Sequence, residues 1–261
     1  MSSFPPAGQM KLLSDSGRFL FFLFFLFPPV SVAQEGTWML SVSGGLASPV
    51  LGAVNETLDK TIRDWNQNAL IPIGPIDHFA SAPSFGFRGI YRYDRDISVS
   101  FSASYSGQTV NASYRDTVAY LNLDRSVQTT GVMLGLAYWF PPLLFDMEVS
   151  FGVDFGLLFA RAEAISYYTR EEKSGATTVT VVYFDSDAIY RKTRLIADAA
   201  GVLTWRVFNP FFLKAEASYR FGNVGKMDGE IRRLQGSMQE QTLTDFNFSG
   251  FTATVGIGIL F

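Results

Sequence analysis

Side-chain chemistry has few places to start in this sequence. It holds a single histidine and no cysteine among 261 residues, so thiol nucleophiles and cysteine-ligated metals are excluded. The histidine, His78, stands beside Asp77 in the stretch PIGPIDHF, and a His–Asp or Ser–His pair on a loop could activate water or a nucleophile. Adjacent residues in a chain often point apart and no second motif supports the pair, so His78 reads better as a polar loop histidine, and no catalytic residue is assigned. No metal, phosphate-loop or nucleotide motif is found, which leaves no cofactor to expect. A net charge of −3 without a polybasic run argues against nucleic acid as a partner.

A second set of charges is more informative, because of where it falls. Arg88, Arg92, Arg206, Lys214 and Arg220 are balanced by Asp146, Glu148, Asp154, Asp198 and Glu216, and each sits on the polar phase of a segment whose residues alternate between apolar and polar. The clearest such segment is Ile97 to Ser106, ISVSFSASYS, which puts Ile97, Val99, Phe101, Ala103 and Tyr105 on one face and serines on the other. Phe145 to Phe159 repeats the pattern, with aromatic and aliphatic residues against Asp146, Glu148, Ser150, Gly152, Asp154 and Gly156.

The elements that must position those charges follow from the same period. Eight segments carry it, at about 37–46, 84–93, 97–106, 129–140, 145–160, 194–207, 211–221 and 248–261, and eight is an even, barrel-closing number. Tyr93 to Asp96, Phe140 to Leu144 and Phe208 to Pro210 are short turns of Asp, Asn and Pro. Long segments lie between them, at about 47–83, 107–128, 161–193 and 222–247. The apolar faces are free of charge, and the polar faces are mostly Ser, Gly, Ala and Thr, which suits a narrow lumen more than a water-facing sheet. The fold expected is an all-β, eight-stranded antiparallel transmembrane barrel with short periplasmic turns and long extracellular loops.

Aromatic residues collect at both ends of these strands. Trp38, Tyr93, Phe140, Phe145, Trp205, Phe208, Phe211 and Phe261 fall near the short turns. Phe85, Tyr105, Phe159, Tyr219 and Phe251 fall near the long segments. Two such girdles mark the two membrane interfaces. At the start, Lys11 and Arg18 precede the apolar run FLFFLFFLF, two prolines and the small-residue site Ser31-Val32-Ala33, the order of a secretory signal peptide. The run is too short to span roughly 30 Å of hydrocarbon. The expectation is a signal peptide over residues 1–33, cleaved near Ala33, and a barrel domain over 34–261.

With signal, eight strands and uneven connections in place, the chain resembles the small eight-stranded outer-membrane barrels of Gram-negative bacteria, the OmpA/OmpX-like family in the broad sense. The resemblance covers nearly all of the chain after the signal, and it is one of pattern. It implies a location in the bacterial outer membrane, with lipid and lipopolysaccharide around the protein. It also implies that the last strand, with Phe251, Ala253, Val255, Ile257, Ile259 and the terminal Phe261 on one face, is the assembly signal read by the barrel-insertion machinery. Nothing in it names a ligand.

Within an eight-stranded closure, strand two faces strand six across the lumen. Arg88 and Arg92 are therefore expected to reach Asp146, Glu148 and Glu216 in a buried ion-pair network. That network is either an ion path or a plug in a lumen just wide enough for side chains, and the plug is favoured. In the first long segment, LGAVNETLDKTIRDWN puts Leu51, Val54, Leu58, Ile62 and Trp65 at helical spacing, which predicts a short amphipathic helix packed against neighbouring loops or serving as a lid. Thr177 to Phe184 either prolongs strands five and six beyond the membrane or adds a hairpin and makes ten strands. The functional expectation is a monomeric outer-membrane protein, structural or binding an unknown extracellular ligand through its loops. The alternatives are a narrow porin-like channel and a lipid-modifying or proteolytic barrel enzyme using His78.

Overall fold

The computed structural model describes residues 36–261 except 69–72, 116–118, 143–146, 175–176 and 234–237. The expected signal peptide, residues 1–33, lies outside the described residues. The elements in chain order are β1 (Thr37–Pro49), α1 (Gly52–Asn68), β2 (Ala82–Arg92), β3 (Ile97–Arg115), β4 (Ala119–Trp139), β5 (Met147–Ser174), β6 (Thr177–Phe208), β7 (Phe211–Phe221), β8 (Asn223–Arg233), β9 (Met238–Asn247) and β10 (Gly250–Leu260). Among the described residues no helix is long and apolar enough to cross a membrane.

Eight of the strands close a ring. β1 to β7 pair in sequence, β7 pairs with β10, and β10 pairs back onto β1, every pair antiparallel. The seam runs from Met39 opposite Leu260 to Pro49 opposite Gly250. It is extended by reciprocal backbone bonds between Trp38 and Phe261, at 2.9 and 3.0 Å. A closed ring satisfies the backbone of every strand with another strand, the condition for crossing lipid without a helix.

Alternation then sorts the side chains. Val42, Leu134, Phe155, Leu195 and Val255 point outward and are more than half exposed, a continuous apolar surface far larger than a water-soluble protein leaves bare. On the inward phase of the ring strands, Ser41, Ser98, Ser100, Asp154 and Lys214 are buried. The run from Phe251 to Phe261, tilted by about 40°, spans roughly 25 Å, the height of a lipid-facing band.

Four of the strands continue well past that band. β3 and β4 stay in register to Arg115 opposite Tyr120, and β5 and β6 to Ser174 opposite Thr177. Thr177 to Phe184 thus prolongs β5 and β6, the first of the two alternatives. Beyond the band the two faces exchange polarity. On β4 the outward residues change from Val132, Leu134 and Leu136 to Gln128, Ser126 and Asp124, while the inward ones change from Gly131 and Gly135 to Leu121, Leu123 and Val127. Water replaces lipid outside, and an apolar filling replaces the polar lumen inside.

That exchange corrects the expected connections. The segments 107–128, 161–193 and 222–247 are read as long loops because a search for outward apolar residues stops where the outward face becomes polar. In the structure they are mostly strand. The segment 222–247 holds the β8–β9 hairpin, which pairs through Asp228–Arg233 with Ser186–Arg191 of β6 and stays outside the ring of eight.

Candidate functional site: a lumen closed in layers

The interior of the ring is built from the inward phase of each strand, and its composition changes with height. Nearest the short turns, Met39 of β1, Ile90 of β2, Trp139 of β4 and Phe212 of β7 form a buried apolar cluster with Leu260 packed against it. Trp139 is fully buried and donates its indole N–H to Ser98 Oγ at 2.8 Å. The Arg92 guanidinium lies 4.4 Å from the centre of the Trp139 ring, within cation–π range. It also donates to both Glu148 oxygens, at 3.1 and 2.9 Å, and to the Arg95 carbonyl at 2.7 Å. Arg206 approaches the same carboxylate at 3.6 Å from a half-exposed position.

A layer of charges follows. Arg88 donates to Asp154 at 2.6 Å and to Glu216 at 3.2 Å. Lys214 donates to the other oxygen of Glu216 at 2.9 Å, and Ser100 donates to Asp154 at 2.9 Å. One step further from the short turns, Arg220 grips Asp198 through Nε and Nη2, both at 2.9 Å, and reaches Ser104 at 3.3 Å. Asp154 and Asp198 stand directly opposite each other on β5 and β6. Two carboxylates in that relation repel, and each is held by a different arginine. Beside this layer lies a cavity of about 50 Å³, lined by Ser84, Ser102, Ser104, Ser218 and Thr254 with the charged groups. It has room for a few waters and little else. Ser102 Oγ and Thr204 Oγ1 are buried with no protein partner.

Beyond the charges the lumen turns apolar. Met133, Leu158, Ala160, Ala162, Val110, Ala112, Leu121, Leu123, Val127, Ala188 and Tyr190 of the prolonged strands pack with Leu51, with Val54, Leu58 and Ile62 of α1, and with Ile73, Ile76 and Phe79 of the segment after it. Side-chain amides fix this lid. Asn55 accepts from the Phe79 N–H and donates to its carbonyl, both at 2.9 Å, and Asn66 does the same for Ile73 at 2.7 and 3.0 Å. Burial pushes the Tyr190 hydroxyl above the ordinary phenol range, against the pull of Arg125. The same burial lowers the pKa of Arg125, whose guanidinium donates to the Asp124 and Ile165 carbonyls and to Ser166.

The charged residues singled out in sequence can now be placed. Arg92 meets Glu148, Arg88 meets Glu216, Lys214 meets Glu216 and Arg220 meets Asp198, while Asp146 lies outside the described residues. The partner that Arg88 approaches most closely, Asp154, is not among those expected for it. The two apolar layers are also absent from the sequence reading. Tyr138-Trp139-Phe140 carried the missing signal, since alternation forces the middle one of three consecutive aromatics inward. His78 does not join Asp77; its Nε2 lies 2.9 Å from Asp59 of α1, with both side chains about half exposed. The side chain of Trp65 lies outside the described residues.

On the outer surface Trp38, Tyr93, Phe140, Trp205, Phe208, Phe211 and Phe261 are exposed at the short-turn end, and Phe85, Tyr105, Phe159 and Phe251 at the other. Phe145 lies outside the described residues. Phe251, Val255, Ile257, Ile259 and Phe261 all face outward on or beside β10.

No family model and no curated protein matches the chain. Solved structures of outer-membrane proteins align with it at low sequence identity. A major outer membrane protein from Thermus thermophilus aligns with 7% identity over 87% of this chain and 100% of its own, with a TM-score of 0.48. OprG from Pseudomonas aeruginosa aligns with 10% identity over 87% and 96%, at 0.44. The attachment invasion locus protein Ail of Yersinia pestis, in complex with the heparin analogue sucrose octasulfate, aligns with 14% identity over 87% and 100%, at 0.42.

Proposed function

We propose that this protein is a non-conducting, monomeric barrel of a bacterial outer membrane whose role is structural or is exercised by the rigid end beyond the long-strand rim. The observation that carries this reading is the lumen, filled in turn by an apolar cluster around Trp139, an ion-pair layer around Arg88 and an apolar core under α1. A buried charge layer is tolerated when its members are mutually satisfied, and a lumen of eight strands is just wide enough for side chains to fill. The short turns then face the periplasm and the prolonged strands face outward, with a signal peptide over residues 1–33 directing export. The terminal strand, ending at Phe261, would be read by the barrel-assembly machinery. The enzyme alternative loses its Asp77–His78 pair, because His78 is engaged with Asp59 on an exposed surface.

Outer-membrane fractionation with gel mobility before and after boiling tests the architecture. A folded barrel should migrate faster unboiled, and a soluble periplasmic protein would end the proposal. Planar-bilayer recording tests the plug. The wild type and Arg88→Ala should both lack stable openings, whereas sizeable openings by the wild type would favour the narrow-channel reading.

A further inference from the structure

We infer that the water-facing outer side of β3, β4 and β5, around Tyr120 and Tyr167, is a binding site for an uncharged stretch of saccharide, the sugar chain of the glycolipid that surrounds the barrel. The inference rests on the membrane-barrel reading proposed above and names a partner for the strands that rise past the apolar band.

Alternation sets the patch. Val110 and Ala112 of β3 and Leu121 and Leu123 of β4 are buried inward, so Asn111 of β3 and Tyr120, Asn122 and Asp124 of β4 face outward. Tyr167 of β5 stands directly opposite Asn122, and Asn111 stands directly opposite Asp124. The rings of Tyr120 and Tyr167 lie 6.0 Å apart between centres and are inclined by 57°, so they form an angled shelf and not a closed stack. Tyr120 is 37% exposed, on a stretch of the outer face that has turned polar. The negative face of an aromatic ring attracts the weakly positive C–H groups on one side of a sugar ring.

Beside the shelf lies a fixed polar trio. Asn111 donates from its amide nitrogen to Asn122 Oδ1 at 2.8 Å and to Asp124 Oδ1, and Asn122 donates to Asp124 Oδ2 at 2.7 Å. These bonds hold all three side chains and leave open Asn111 Oδ1, one N–H of Asn122 and the remaining lone pairs of Asp124. An amide donor next to amide and carboxylate acceptors matches a pair of neighbouring sugar hydroxyls, each of which both donates and accepts. The trio runs against local preference, since Asn and Asp are depleted in strands, and Asn111 is exposed and buries nothing in exchange. Departures of that kind mark functional positions.

Height and charge select the occupant. Asn111 follows the girdle residue Tyr105 by six positions and Tyr167 follows Phe159 by eight, roughly 15 and 20 Å along the axis of a barrel whose strands tilt by about 40°. The headgroup region is only roughly 5–8 Å thick on each side of the hydrocarbon, so the patch stands above the phosphates. It is continuous with the lipid-facing band below it along the same three strands. A molecule rooted in the leaflet reaches that height only with its saccharide chain. Among the described residues of the patch one cation, Arg115 opposite Tyr120, is matched by one anion, Asp124. A face without net charge suits uncharged sugars and gives phosphate no preference.

The experiment uses the full-length protein folded in zwitterionic micelles, its folding checked by unboiled gel mobility. The probes are lipopolysaccharide from the source bacterium, the lipid part that remains after mild acid hydrolysis, and the saccharide released by it. Retained lipid is read as fatty acid per mole of protein after micelle exchange. The wild type should retain the intact glycolipid about tenfold better than its lipid part, the size expected of one or two aromatic contacts, and the released saccharide should displace it. Tyr120→Ala with Tyr167→Ala should lose that preference. Tyr120→Phe with Tyr167→Phe should keep it because the rings remain, and so should Lys60→Gln on α1. Equal retention of the two lipids by the wild type, no displacement by the released saccharide, or an unchanged preference in the alanine double variant overturns the inference. A loss in the phenylalanine variant as large as in the alanine variant removes the stacking on which the site is built and equally overturns it. Absence of a fast-migrating band would instead remove the barrel reading on which the inference stands.

Discussion

Arg88 is the residue on which the ion layer depends most, because among the described residues it alone joins a β5 carboxylate to a β7 carboxylate across the lumen. Arg88→Ala would leave Asp154 beside Asp198 with only Arg220 to offset two negative charges. Removing one partner of a buried pair costs about 3–5 kcal/mol, because the other is left uncompensated. The expected outcome is a loss in the lower part of that range in urea-unfolding experiments, since Ser100 still donates to Asp154 and Lys214 still holds Glu216. The double variant Arg88→Met, Asp154→Leu removes both charges together, and its loss should be smaller than that of Arg88→Ala. A larger loss in the double variant would show that the charges are not coupled. At this scale the sequence is legible in part. Alternation identifies which charges face inward, but pairing depends on the stagger of strands around the ring, and no single strand contains that information. Arg88 therefore finds Asp154, a residue whose facing direction is readable and whose height is not.

Elements divide into a part that alternation reveals and a part that it conceals. Inside the band the strands are legible because lipid demands an apolar residue at every second position. Past the band the demand inverts, and Val110, Ala112, Leu121 and Leu123 pack inward where serines and glycines did before. A reading tuned to one polarity sees loops there, although the period of two never stops. The helix escapes this difficulty, because Leu51, Val54, Leu58 and Ile62 repeat at 3.6 residues and need no knowledge of what they pack on. Its attachment gives a prediction. Ile62→Asp would bury a carboxylate in the apolar core that α1 helps to form, so α1 should leave the core rather than hold the charge. A protease should then cut within 52–81 of the folded protein, while heat-modifiable mobility stays unchanged. Loss of that mobility would mean that the lid supports the barrel itself.

The whole molecule is a ring, and a ring can be tested at its seam. The chain has no native cysteine, so introduced thiols report only on the pair chosen. Val42 and Ile257 face each other across β1 and β10, so Val42→Cys with Ile257→Cys should cross-link in the folded protein. Leu213 lies one strand further, roughly 10 Å from Val42 at the usual strand spacing, and Val42→Cys with Leu213→Cys should not. Closure also sets what the lumen can pass. Its three fillings lie in series, so current is limited by whichever remains, and opening one leaves the other two in place. Deleting the lid over 52–79 exposes the upper core but leaves the Arg88 layer and the Trp139 cluster. Replacing Trp139 and Phe212 by Ser leaves the charges and the lid. Each variant alone should be as silent as the wild type in a planar bilayer. A combined variant, with the lid deleted, Trp139 and Phe212 made serine and Arg88 made alanine, should conduct. If the lid deletion alone opens a stable pore, the charges are a path for ions and the plug account is wrong.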